Sequence, residues 1–340
     1  MKKNCVCVVM ILLLLGIFIQ AKKIAALSEL MKPDMIVLDY GRLFITEGVS
    51  IYIYSLKEFQ LIKKFGREGE GPREFKISPM GPPMYVVPGN DRLYVTSDAK
   101  VSVFTKDGEF IKETKVMPFQ MYLPFKDKYI GTGSTANDKD QTVLSVNLHN
   151  EKFEKLKELY VSDFQVGPSL MWNFPISPLV FRPYKDNVYL VAGKEGFVID
   201  VFDEKGTKLK RIKKDYKPIK IPQEYKDKTL DWFKTNPNFK QYWEYFKTRI
   251  TFKAYYPPIQ DMFVEDERFY VLTYKKQKGN TECIIMDLKG KEKKRVFVHV
   301  PDMVGMDYYP KYDIYNRAFY TLLENEDEEV WELYRSDAIK

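Results

Sequence analysis

Between Tyr85 and Lys115 the chain reads YVVPGNDRLYVTSDAKVSVFTKDGEFIKETK, three short runs of alternating apolar and polar residues separated by Gly-Asn-Asp, Ser-Asp-Ala-Lys and Lys-Asp-Gly. Period-two alternation places one set of side chains on each face of an extended chain, and Asn, Asp and Gly tolerate the backbone angles of tight turns. The stretch therefore predicts an antiparallel meander. The same order recurs in GRLFITEGVSIYIYSLKEFQLIKKF from Gly41, in DKYIGTGSTANDKDQTVLSVNLHNEKFEKLKEL from Asp127 and in DNVYLVAGKEGFVIDVFDEKGTKLKRIKK from Asp186. It returns in ERFYVLTYKKQKGNTECIIMDLKGKEKKRVFV from Glu267 and in NRAFYTLLENEDEEVWELYRSDAIK from Asn316, making six units. One further short strand precedes each unit.

Four strands per unit, repeated radially, remove the exposed sheet edges that an open sheet of this length would carry, so the pattern predicts an all-β, six-bladed β-propeller over residues 22–340. The sixth unit ends at Lys340 without room for an outermost strand, and KKIAALSELM at 22–31 is available to supply it. One segment breaks the alternation. From Ile221 to about Tyr256, Tyr225, Thr229, Trp232 and Phe233 recur at helical spacing. After Asn236-Pro237, so do Phe239, Tyr242, Trp243, Phe246 and Ile250. The spacing predicts a small α-helical hairpin inserted between blades 4 and 5.

The stretch FGREGEGPREF at 65–75 carries three glycines, but their G-x-x-G-x-G spacing fits neither a dinucleotide fingerprint nor a P-loop, and Glu68 and Glu70 would repel a phosphate. In a ring of blades it is a crossing from one outermost strand to the next innermost one, with glycine allowing close approach and Pro72 fixing direction. GREGEGPREF followed by YVVPGNDRLYVTSDAKVSVFTKDGEFIK resembles one repeat of the NHL type. The chain as a whole is similar to the secreted bacterial six-bladed propellers related to those repeats. That resemblance implies the fold and much less about function.

Composition narrows the class. Aromatics make up 15% of the chain, with 24 Tyr and 23 Phe, which fits a folded protein rich in strand formers. The formal charge of +7 is scattered rather than striped, so nucleic acid is not an expected partner. Residues 1–21, MKKNCVCVVMILLLLGIFIQA, have the basic, apolar and small-residue order of a secretory signal and an apolar run short for a membrane span. The expected product is exported to the periplasm or medium and monomeric; an uncleaved leader would make this segment its one membrane contact. Cys5 and Cys7 precede the apolar run rather than closing it, which disfavours a lipoprotein. Once they are removed with the leader, Cys283 remains alone, so no internal disulfide is expected.

Catalytic signatures are sparse. The two histidines, His149 and His299, lie in strand patterns, a three-histidine zinc site is ruled out by count, and no G-x-S-x-G elbow occurs. Long insertions collected on one face of a rigid scaffold mark where binding is expected. That face carries the insertion, the crossing at 65–75 and the loop GPSLMWNFPISP at 167–178. The candidate binding residues are Arg67, Glu70, Arg73, Trp172, Trp232, Tyr242 and Trp243, for a protein, peptide or glycan ligand, with no cofactor required. The alternative is a metal-assisted hydrolase, lyase or lactonase with carboxylate ligands at the propeller channel. That leaves a divalent cation such as calcium open without selecting its ligands.

Overall fold

A computed structural model describes residues 17–77, 84–166, 171–176, 179–306 and 310–337. Six four-stranded antiparallel sheets stand around a central channel, making a six-bladed β-propeller. The innermost strands of blades 1 to 6 are Met35–Asp39, Tyr85–Pro88, Tyr122–Phe125, Phe181–Tyr184, Asp261–Glu265 and Tyr312–Tyr315. Those of blades 1 to 5 run outward in chain order to Leu61–Phe65, Phe110–Lys115, Lys155–Gln165, Lys208–Lys214 and Glu292–Val298. A short extra pairing, Ile17–Phe18, lies parallel to the edge of blade 5. The rest of the expected leader, residues 1–16, lies outside the described residues.

Burial follows position in the blade. The middle strand Ser50–Ser55, SIYIYS, is buried on both faces because a neighbouring blade covers each one, whereas the outermost Leu61–Phe65 and Phe110–Lys115 are largely exposed. The core is accordingly split into clusters between adjacent blades. Phe44, Ile53, Val86 and Phe104 join blades 1 and 2, Leu148 and Phe181 join 3 and 4, Ile199 and Phe269 join 4 and 5, and Ile285 and Tyr312 join 5 and 6.

The ring closes between chain ends. Lys22–Leu27 pairs antiparallel with Val330–Ser336, from Lys22 opposite Arg335 to Leu27 opposite Trp331, and forms the outermost strand of blade 6. Lys23 meets the carboxylate of Glu332, and the Trp331 indole N–H donates to the Met31 carbonyl at 3.1 Å. Leu27, Leu30, Leu43 and Leu333 then share one buried cluster between blades 6 and 1.

The insertion between blades 4 and 5 contains a thirteen-residue helix, α1 (Gln223–Thr235), and then a 3-10 turn at Lys240–Tyr242 that runs into a single α-turn, α2 (Trp243–Phe246). The pattern predicted a second helix reaching Ile250. Instead the chain extends, and Ile250–Phe252 pairs in parallel with Trp172–Phe174 of the preceding crossing. β-Branched Ile250 and Thr251 favour an extended chain, and the Trp172 and Lys253 N–H groups donate to the Arg249 and Phe174 carbonyls at 2.8 Å, so strand pairing displaces the last helical turn. At its root the insertion is pinched shut by Ile221 N–H to Ala254 O (3.1 Å) and Tyr256 N–H to Ile219 O (2.9 Å).

Candidate functional site

In this topology the crossings between blades lie on one face and the two-residue turns of the inner hairpins on the other. Candidate residues from the sequence fall on three crossings: Arg67, Glu70 and Arg73 between blades 1 and 2, Trp172 between blades 3 and 4, and Trp232, Tyr242 and Trp243 between blades 4 and 5.

On the crossing from blade 1 to blade 2, Gly69 and Gly71 surround an anion supplied by their own loop. Glu74 accepts the Gly71 N–H at 2.8 Å and pairs with the Arg67 guanidinium at 2.6 Å, while Arg67-Glu68 pairs in parallel with Glu74-Phe75. A Cβ on Gly69, whose φ is +150°, would lie 2.2 Å from the Glu74 carboxylate; one on Gly66, at φ +102°, would strike the Val49 carbonyl. The Gly71 N–H, ahead of the Arg67 charge, holds the Glu74 carboxyl below its ordinary range. Glu70 is exposed and pairs with Lys76 at 3.1 Å, and Arg73, at φ +65°, lies over the Phe110 ring at 6.0 Å. These three candidates engage their own loop and its neighbours.

On the crossing from blade 4 to blade 5 the structure gathers the aromatic candidates together. Phe174, Phe233, Phe239 and Phe246 are buried and form a core belonging to the insertion, with Trp172, Trp232 and Trp243 half-buried around it. Trp232 also lies flat against Gly305 on the crossing from blade 5 to blade 6, where a Cβ would come within 2.3 Å of its indole. Lys234 stands 5.2 Å over the Trp243 ring. Tyr242 meets Phe246 edge-on at 6.5 Å and remains 43% exposed.

What sequence reasoning missed lies beside these residues. Among the described residues, the exposed large apolar side chains off the outermost strands are Met31, Met117, Phe119, Met171, Tyr242, Tyr245 and Tyr255, all on crossings, and Tyr40 on the opposite face. Of the expected loop at 167–178, positions 167–170 and 177–178 lie outside the described residues.

The channel itself is a cavity of about 1060 Å³ lined by the innermost strands of all six blades. Phe164, Ile176, Tyr274 and Met306 line its crossing-side end, and Ile176 and Met306 also pack against the insertion's aromatic core. A polar group sits in its wall. Arg182 donates to Asp261 at 3.0 Å and to the Phe181 carbonyl at 3.1 Å, and the Tyr312 hydroxyl donates to the other Asp261 oxygen at 3.3 Å. Asp313 accepts the Leu38 N–H at 2.7 Å and the Ile314 N–H at 2.8 Å. Burial raises the Asp261 carboxyl against the opposing Arg182 charge, and it pushes the Asp313 carboxyl up to about 7. Reading the inner strands FRPY, DMFVE and YDIY in register would have flagged these residues, since a charge at an interior position of a channel-lining strand needs a reason.

The remaining titratable candidates are structural. His149 Nδ1 lies 3.1 Å from the Phe153 carbonyl and burial lowers its pKa; the Cys283 thiol is pushed up to about 12 by burial, which keeps it protonated. Among the described residues no three His, Cys, Asp or Glu side chains converge as metal ligands, and no helix is long and apolar enough to cross a membrane.

No family model matches the chain, and no curated protein matches it in sequence. Among solved structures it is similar to the WD40 domain of Pan2 from Neurospora crassa, with a TM-score of 0.47 and 9% identity over 94% of this chain and 97% of that one. It is also similar to the calcium-binding protein regucalcin from Agrobacterium tumefaciens, with a TM-score of 0.44 and 10% identity over 96% and 97% of the two chains. A protein of unknown function from Bacteroides caccae gives 0.41 and 9% over 78% and 81%. At such identities these likenesses concern the fold alone.

Proposed function

We propose that this chain is an exported, non-enzymatic binding protein of the secreted bacterial type, related to NHL-repeat propellers, that grips a partner protein or peptide with its crossing face. One observation carries the reading: the exposed large apolar side chains away from the outermost strands collect on crossings, with Tyr40 the exception among the described residues. A soluble propeller gains nothing from exposing them, and Met and Tyr side chains on a rigid scaffold make an adaptable apolar contact surface. Three methionines in the set favour a protein or peptide over a glycan, because a thioether offers a sugar hydroxyl only a weak acceptor. Export rests on the basic-apolar-small order of residues 1–21.

The test is photo-crosslinking in the cells that make the protein. A photoreactive residue is placed singly at Phe119, Tyr245 or Tyr255, and as controls at Tyr40 and Ile111. Crosslinks to one partner from the first three positions and not from the controls are expected. A partner captured equally from Tyr40 or Ile111 would move the binding surface elsewhere. N-terminal sequencing of the exported form checks the leader, with a start near Lys22 expected and an intact Met1 pointing to an anchored protein.

A further inference from the structure

We propose that the central channel is a second site, independent of the crossing face, that binds a small molecule carrying a protonated amine, with Asp313 as the carboxylate that receives the ammonium group. Each of the protein's buried acids among the described residues meets a cation. Asp200 meets Lys208 and Arg211, Asp261 meets Arg182, Glu282 meets Lys275 and Arg295, and Glu332 meets Lys23. Asp313 lies in the channel wall with backbone N–H donors on both oxygens, and among the described residues no Lys or Arg side chain comes within ion-pair distance. A carboxylate half-buried in the channel wall without an ion-pair partner carries a desolvation cost, and a cation brought to it by a ligand offsets that cost.

The surroundings select the kind of cation. Arg182 is already committed to Asp261 and lies over the Phe263 ring at 5.5 Å. Lys126 and Lys185, at the inner-turn end of the channel, are drawn off by Asp186, Glu204 and Glu267. Of the five carboxylates lining the channel, Asp39, Asp91 and Asp261 are paired with Lys106, Arg92 and Arg182, which leaves Glu265 and Asp313 without a Lys or Arg partner among the described residues and favours cations over anions. A bare divalent ion would need several oxygen ligands, and among the described residues no three such side chains converge. An ammonium group needs fewer. Leu38, Val87, Leu123 and Ile314 line the remaining wall and suit the carbon body of an organic amine, and the volume of about 1060 Å³ is ample for one.

The charged groups lining the channel on the inner strands packed around Asp313 are Asp39, Asp261, Glu265 and Arg182, with Tyr312 beside it on its own strand. None of them is a histidine. With the Asp313 carboxyl raised to about 7 by burial, the proposed contact strengthens as pH rises through neutrality, while an alkylamine stays protonated.

The experiment compares tyramine with tyrosol, which carries a hydroxyl in place of the amine, by calorimetry on the intact protein. Tyramine is expected to bind about tenfold more tightly than tyrosol at about pH 8, and to lose about tenfold in affinity on going to about pH 6, with tyrosol unchanged. Asp313→Asn keeps an acceptor but removes the charge, and it is expected to abolish the preference for the amine while its melting curve reports folding. If that variant fails to fold, the pH comparison on the unaltered protein decides. Equal affinity for amine and alcohol would overturn the proposal. So would no binding of either at roughly millimolar concentration, or tyramine binding that ignores pH.

Discussion

Two crossings make the same journey from an outermost strand to the next innermost one, and they are held in opposite ways. The one at 66–75 is a polar lock in which Gly69 and Gly71 fold around the Glu74 carboxylate, Arg67 closes it from outside, and Phe75 alone is driven into the core. The one between blades 4 and 5 builds an apolar core of its own from Phe174, Phe233, Phe239 and Phe246, recruiting a strand from the preceding crossing and a glycine from the next. A short loop cannot bury enough apolar surface to order itself, so it relies on directed hydrogen bonds. A long one can bury enough, and it then presents whatever side chains it does not bury.

The largest expected effect lies in the long crossing. Phe233 is fully buried at the centre of its cluster, so Phe233→Ala should cost about 3–5 kcal/mol of insertion stability. Urea unfolding combined with limited proteolysis would show this as early cleavage between α1 and α2. A loss confined to the propeller, with the insertion still protected, would break the comparison.

Glycine substitutions come next and probe both crossings. Gly305→Ala sets a methyl against the Trp232 ring at a residue with φ of +64°, and should cost about 1–3 kcal/mol and loosen the insertion in proteolysis. Gly69→Ala is also strained, at φ +150°, but its obstacle is the end of a flexible glutamate, so about 1 kcal/mol is expected. If the order were reversed, the polar lock would be the more rigid of the two.

A pH titration separates them without mutation. The Glu74 pKa is lowered in the folded loop, so its contribution is present above the ordinary glutamate value of 4.5 and is lost as pH falls through the folded value. Protection of the Gly71 amide, taken relative to its intrinsic exchange rate at each pH, should therefore fall on acidification, while the aromatic core around Phe233 keeps its protection. The smallest effect on stability is expected for Tyr245→Ala, within about 0.5 kcal/mol because the side chain is exposed, yet it should weaken partner capture if the crossing face is the binding surface.

The ring was legible in the sequence because each middle strand repeats one apolar phase and each hairpin carries its own turn residues, a redundancy that survives weak units. Helix α1 was legible for the same reason, since Tyr225, Thr229, Trp232 and Phe233 share a face. The second helix failed at Ile250, where a partner strand from a crossing about eighty residues earlier outweighs local spacing, and no local pattern carries that information. An aromatic stripe likewise cannot distinguish core from surface. Trp232 and Trp243 were singled out together with Tyr242, but the first packs on Gly305 and the second under Lys234 while the tyrosine stays exposed. Arg182, Asp261 and Asp313 come from three different blades, so their proximity exists only once the blades stand in a ring.

Ring closure also sets a schedule. Lys23 and Glu332 are 309 positions apart, so the strand that completes blade 6 waits, exposed along one edge, until nearly the whole chain has emerged. Joining such distant partners carries a loop-closure entropy that the other blades, each built from neighbouring hairpins, do not face. Blades 1 to 5 are therefore free to assemble one after another, and the final latch converts an open arc into a ring in a single late step. For the export proposed above this order is an advantage, because a chain still lacking its last strands cannot close the ring.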